Sequence, residues 1–172
     1  MDQNKEFVCQ ARVERTLKAL AKNRIPAVYV PNREEAMKTV ESMLRPGDVV
    51  TCGGSMTLAE TGVMDLLKSG AYEFLDRQTM DQEEVYRKTF GADVFLMSAN
   101  AITEDGELYN VDGNGNRVAA LIFGPKRVIV VAGVNKLVRN LDEAIARVKC
   151  MAAPANGVRL ETHTPCSRMG RC

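Results

Sequence analysis

Asp48-Val49-Val50-Thr51-Cys52-Gly53-Gly54-Ser55-Met56-Thr57-Leu58-Ala59-Glu60 changes its period half-way along. Asp48 to Cys52 is a short β-branched run that reads as a strand, and Gly53-Gly54 ends it. From Thr57 to Lys68 the positions Leu58, Ala59, Gly62, Val63, Leu66 and Leu67 fall on one side of a helix. A strand, a glycine turn and a helix make half of a βαβ unit, and the chain repeats that alternation on either side. Upstream, Asn4 to Asn23 reads as a helix, Ala27 to Val30 as a strand stopped by Pro31, and Arg33 to Leu44 as a second helix. Downstream come a strand at Tyr72 to Leu75, a helix at Asp81 to Phe90 with Asp81 as its cap, and a buried strand at Asp93 to Met97. Ala101-Ile102-Thr103, the turn Glu104-Asp105-Gly106 and Glu107 to Val111 form a hairpin. Arg117 to Phe123 is helical, Arg127 to Ala132 is the most β-branched run of the chain, and a last helix starts near Asn140. Such alternation predicts an α/β fold: a three-layer sandwich around a mainly parallel sheet, with an inserted β-hairpin. The expected divisions are an N-terminal helix over 1–24 packed on the domain, an α/β domain over 25–157, and a cysteine-containing tail over 158–172.

Composition narrows the function classes. The 172 residues carry 23 Lys and Arg against 22 Asp and Glu, a net charge of +1. That balance supplies no global field for nucleic acid or anionic lipid. The N-terminus lacks the apolar core of a signal peptide, and no run approaches the roughly 20 apolar residues of a membrane span. Five cysteines without a secretion signal read as thiols. The expectation is a cytoplasmic protein with neither nucleic acid nor membrane as partner.

In an open α/β sheet, ligands bind beyond the carboxyl ends of the strands. Three loops qualify: Gly53-Gly54-Ser55-Met56-Thr57, Ser98-Ala99-Asn100, and Gly133-Val134-Asn135-Lys136. If their strands are parallel, the loops open on one edge and offer an anion backbone N–H groups, hydroxyls, amides and one cation. The first loop could equally be a plain turn with a Ser or Thr cap. It is no P-loop, since G-x-x-x-x-G-K-[ST] is absent. Asp112-Gly113-Asn114-Gly115-Asn116-Arg117 invites a dinucleotide reading that fails at Val118, where the fingerprint needs Gly. It stands as a functional loop with an acceptor and a cation, or as a capped turn. Lys136 is an anion ligand or a solvated lysine. His163, the one histidine, has no partner spacing for zinc or a triad. The C-x5-C of Cys166 and Cys172 fits no zinc or iron–sulfur pattern, so no metal is expected.

Three stretches together resemble the LUD-domain family of lactate-utilisation proteins: Cys52 to Gly62, Ser98 to Gly106 and Asn110 to Ala119. Phe123 to Lys136 and Thr164-Pro165-Cys166 extend the likeness to nearly the whole chain from about Lys5. The resemblance implies a fold of the NagB/RpiA/CoA-transferase type. For some members it implies a link to oxidation of L-lactate to pyruvate, with iron–sulfur subunits accepting the electrons. It transfers no catalytic residue and names no cofactor.

The leading expectation is therefore a metabolic protein that binds a small anionic metabolite, a carboxylate or a phosphate. Gly53, Gly54, Ser55 and Thr57 would donate to it, Asn100, Asn114, Asn116 and Asn135 would orient it, and Arg117 and Lys136 would balance its charge. If there is chemistry, Glu60 or Asp112 is the candidate proton carrier, since no histidine is available. The alternatives are a non-catalytic subunit docking on an iron–sulfur oxidoreductase, and a stand-alone isomerase or acyl/CoA-transferase-like enzyme. Homo-oligomerisation is left open.

Overall fold

Val50, Val94 and Leu96 are fully buried, as expected of parallel strands covered on both faces. The computed structural model describes residues 2–172. In chain order it contains α1 (Gln3–Lys22), α2 (Arg33–Met43), β1 (Val49–Cys52), α3 (Met56–Glu60), α4 (Val63–Leu67), β2 (Glu73–Leu75), α5 (Gln82–Thr89) and β3 (Val94–Met97). Then follow β4 (Ala101–Thr103), β5 (Leu108–Tyr109), α6 (Asn116–Ile122), β6 (Arg127–Val130), β7 (Leu137–Val138), α7 (Leu141–Arg147), α8 (Ala153–Arg159) and α9 (Pro165–Met169). These elements form two compact units, each assembled from separate stretches of chain.

Residues 30–98 and 112–132 form one unit. Its sheet is parallel throughout, in the order β2-β1-β3-β6. Alternate residues point to opposite faces. Val50, Val94 and Leu96 pack on one side with Val40 of α2, Leu44 just after it, Leu58 of α3, and Val63 and Leu67 of α4. Phe95 and Met97 pack on the other with Ala120 of α6. Helix, sheet and helix give the expected layers. The chain leaves β1 for β2 on one flank and returns to β3 on the other, so the strand order switches between β1 and β3.

The other unit comprises the chain up to Tyr29 with residues 99–111 and 133–172. The expected hairpin is present, as β4 and β5 run antiparallel. It belongs to a separate sheet in the order β5-β4-β7, where β7 pairs parallel with β4. Helix α1 is bound to the hairpin turn. Arg12 and Arg15 both bond Glu104, each at 2.7 Å, and Asn23 Nδ2 donates to the carbonyls of Asp105 and Gly106.

Two local expectations are corrected, and two elements are added to them. Ala27 to Val30 forms no strand: Val28 and Tyr29 are exposed, so β-branching there meets no neighbouring surface to pack on. The single helix read over Thr57 to Lys68 is two, α3 and α4, because Gly62 adopts the left-handed conformation (φ 76°) between them. The tail carries α9, started by Pro165 and ended by Gly170 (φ 71°). Finally, β7 is a strand that two residues of sequence could not announce.

Candidate functional site

The switch between β1 and β3 lies where the first glycine loop leaves the sheet. Gly53 N–H still donates to Leu96 O at 2.9 Å, extending the parallel ladder one residue past β1. A Cβ at position 53 would touch the Arg117 side chain and the Phe95 ring, each at 3.4 Å, and one at position 54 would overlap the Arg77 guanidinium. Glycine therefore lets two arginines close on the main chain. Gly53, Arg77, Tyr86, Phe95, Asn116 and Arg117 are among the residues that line a cleft of about 340 Å3 here. That volume includes open solvent, and the space that a water-sized group can occupy is far smaller.

The two arginines are held differently. Arg117 Nε and Nη2 bond Asp112 Oδ1 at 2.8 and 2.7 Å, and Nη1 donates to Ser98 O at 2.9 Å. Asp112 Oδ2 accepts the Val118 N–H at 2.7 Å, tying the carboxylate to the first turn of α6. Side-chain exposures of 14% for Arg117 and 8% for Asp112 make this a nearly buried pair. Arg77, two residues beyond β2, makes no hydrogen bond or ion pair with a described residue. Its neighbour Asp76 is engaged by the Gln78 N–H and by Lys68.

Other expected site residues of this unit are engaged in their own segments. Ser55 caps α3, its Oγ accepting the Leu58 N–H at 3.3 Å. With five residues, α3 sums few peptide dipoles, so the positive character of the cleft comes from the guanidinium groups. Thr57 O accepts the Thr61 hydroxyl at 2.8 Å. Glu60 forms an ion pair with Arg33 at 2.9 Å and is 46% exposed. Asn114 is exposed on the loop before α6. Cys52, beside Gly53, is a half-buried thiol that donates to Met64 Sδ. Burial pushes its pKa up to about 11, against the pull of the Arg77 charge, so it is no thiolate nucleophile at neutral pH.

Asn100, Asn135 and Lys136 belong to the other unit. Asn100 Oδ1 accepts the Val111 N–H at 2.9 Å, which braces the base of the hairpin. The carbonyls of Asn100 and Asn135 both accept from Arg147. Lys136 closes a 3-10 turn, its N–H donating to Gly133 O.

Arg77 and Arg147 are the cations that reading the sequence missed. Arg77 had a signal: it follows a strand of the parallel sheet, where the rule about carboxyl ends applies as much to β2 as to β1. Arg147 lies in the last turn of α7, where a cation also suits the helix dipole, so its position alone does not reveal its carbonyl contacts.

Fold and site together define an α/β protein with a parallel sheet whose carboxyl edge is lined by guanidinium and amide donors. The LUD domain family model matches residues 13–172, and the chain belongs to that family. No curated protein matches the sequence. Among the described residues no helix is long and apolar enough to cross a membrane.

Proposed function

We propose that the unit of residues 30–98 and 112–132 binds a small anionic metabolite, through a carboxylate or phosphate group, between Arg77 and Arg117. One observation carries this reading: the Arg77 guanidinium lies against Gly54 at a strand-order switch with no counter-ion among the described residues. A half-buried cation facing a cleft of donors is stabilised by an anion that accepts from it. Arg117 adds a second guanidinium whose orientation Asp112 fixes, so Asp112 acts as a positioning residue. Glu60 remains paired with Arg33 on the surface. Membership of the LUD family supports placing the carboxylates lactate and pyruvate first among the ligands to try.

Thermal shift with lactate, pyruvate, a sugar phosphate and a CoA ester tests the proposal on the wild type and on Arg77→Gln. A ligand at one hundred times its Kd adds about 2.7 kcal/mol of stability. Arg77→Gln should weaken that ligand about tenfold or more, the usual worth of a hydrogen bond to a charged group. Its unliganded stability should stay within about 0.5 kcal/mol of wild type. If no ligand moves the transition, or all bind the variant equally well, the cleft is not the site.

A further inference from the structure

The helix that begins at Asn140 changes register before Pro154. A π turn spans Val148–Ala152, and Ala153 N–H donates to Val148 O, five residues back. In that register the Lys149 carbonyl awaits the N–H of residue 154, which is proline and has none. The α-helical alternative is closed as well, because Ala153 has given its N–H to Val148. The Lys149 carbonyl is therefore open to a donor from outside the helix.

Cys172 provides it. Its N–H donates to Lys149 O at 2.8 Å. The route there is built: α9 packs on α8 where Gly157 admits Ser167, Thr162 and Thr164, and Gly170 reverses the chain with its N–H on Cys166 O. Lys149 O lies one peptide unit from the Cα of Cys150, so standard backbone dimensions hold the Cα atoms of Cys150 and Cys172 within about 7 Å. That limit reaches into the span of roughly 4.4–6.8 Å over which disulfides usually form. Both side chains are exposed.

We infer that Cys150 and Cys172 are a thiol pair that low-molecular-weight disulfides oxidise reversibly to an intramolecular disulfide. One protein thiolate attacks a sulfur of glutathione disulfide; that S–S bond breaks and one glutathione thiolate leaves. The second protein thiolate then attacks the protein sulfur of the mixed disulfide and expels the second glutathione. The two protein thiols give up two electrons and two protons, and the oxidant's S–S bond becomes two thiols. The open carbonyl beside Cys150 sets the partner, because it draws in Cys172 rather than Cys166.

The test is thiol counting and peptide mapping by mass spectrometry on the full chain, after equilibration in glutathione buffers and acid quenching with N-ethylmaleimide. The expected product is a monomer with two fewer alkylatable thiols and one cross-linked peptide joining Cys150 to Cys172. It should be absent in Cys150→Ser and Cys172→Ser and reversed by dithiothreitol. Pro154→Ala restores an N–H that competes for the Lys149 carbonyl. Disulfide closure should slow roughly fivefold, the effect of one backbone hydrogen bond. Five reactive thiols under oxidising buffer, a cross-link that instead joins Cys166 to Cys172 or two chains, or an unchanged rate in Pro154→Ala would overturn the assignment.

Discussion

Arg77 and Arg117 carry the same charge under different obligations, and substitution separates them. Arg117 and Asp112 are nearly buried and satisfy one another. Asp112→Ala therefore leaves a desolvated guanidinium and should cost about 3 kcal/mol in urea denaturation. Replacing the pair together, as Asp112→Leu with Arg117→Met, should recover part of that loss. Arg77→Gln should leave the urea midpoint almost unmoved, since no ion pair is broken. Cys52 gives a titration at the same scale. Its folded pKa, about 11, stands above the ordinary 9.0 because burial disfavours the thiolate. Below pH 9 both folded and unfolded chains hold the proton, and the contribution is fully present. Between pH 9 and 11 only the unfolded chain ionises, so stability should fall by on the order of 2 kcal/mol. Cys52→Ala should flatten that alkaline limb. The glycine pair and Arg117 were legible in the sequence because they sit at a visible change of period. Arg77 was not, because its role comes from β2 lying beside β1, a neighbour relation that no local pattern encodes.

Helix ends were read well where a short polar side chain announces them. Asp81 Oδ1 accepts the Glu84 N–H at 2.9 Å, and Asn140 Oδ1 accepts the Glu143 N–H at 3.1 Å. Turns depend more on what lies against them. Gly106 adopts φ +83°, and a Cβ there would come within 2.6 to 2.8 Å of the Ala19 and Leu20 backbone. Backbone cannot swing aside as an arginine can. Gly106→Ala should thus cost at least about 2 kcal/mol, through left-handed strain and overpacking combined. Gly47→Ala, at φ +81° but in open space, should cost only about 1 kcal/mol. Measuring both by urea denaturation separates strain from collision. A sequence shows two turn glycines here and nothing that ranks them.

At the scale of the whole molecule, each unit holds a carboxylate kept below its ordinary range. For Glu104, burial raises the pKa, but hydrogen bonds from Arg12 and Arg15 outweigh it. For Asp93 the Lys126 ammonium and the Val49 N–H do the lowering. A lowered folded pKa means the stabilisation is present above the unfolded values of 4.5 and 3.8 and is lost as pH falls through the folded ones. Glu104→Gln should accordingly be less stable than wild type at pH 7, by a deficit that shrinks as pH falls below 4.5. A deficit that stays constant with pH would show that Glu104 acts through packing alone. Neither unit is continuous in the chain, so linear division of the sequence cannot delimit them.

The alternation of period fixed the element types, the parallel sheet and its layers, because burial on two faces demands apolar runs and burial on one demands helical stripes. It also marked the turns, where glycine and short polar residues meet needs of the local backbone. The tertiary structure alone decided which cations reach the glycine loop and that Gly62 splits a helix. It alone decided that the hairpin builds its own sheet and that Cys172 returns to the carbonyl Pro154 cannot satisfy. Those outcomes depend on which distant segments are neighbours, and proximity is set by the packing of the whole rather than by the spacing of residues along the chain.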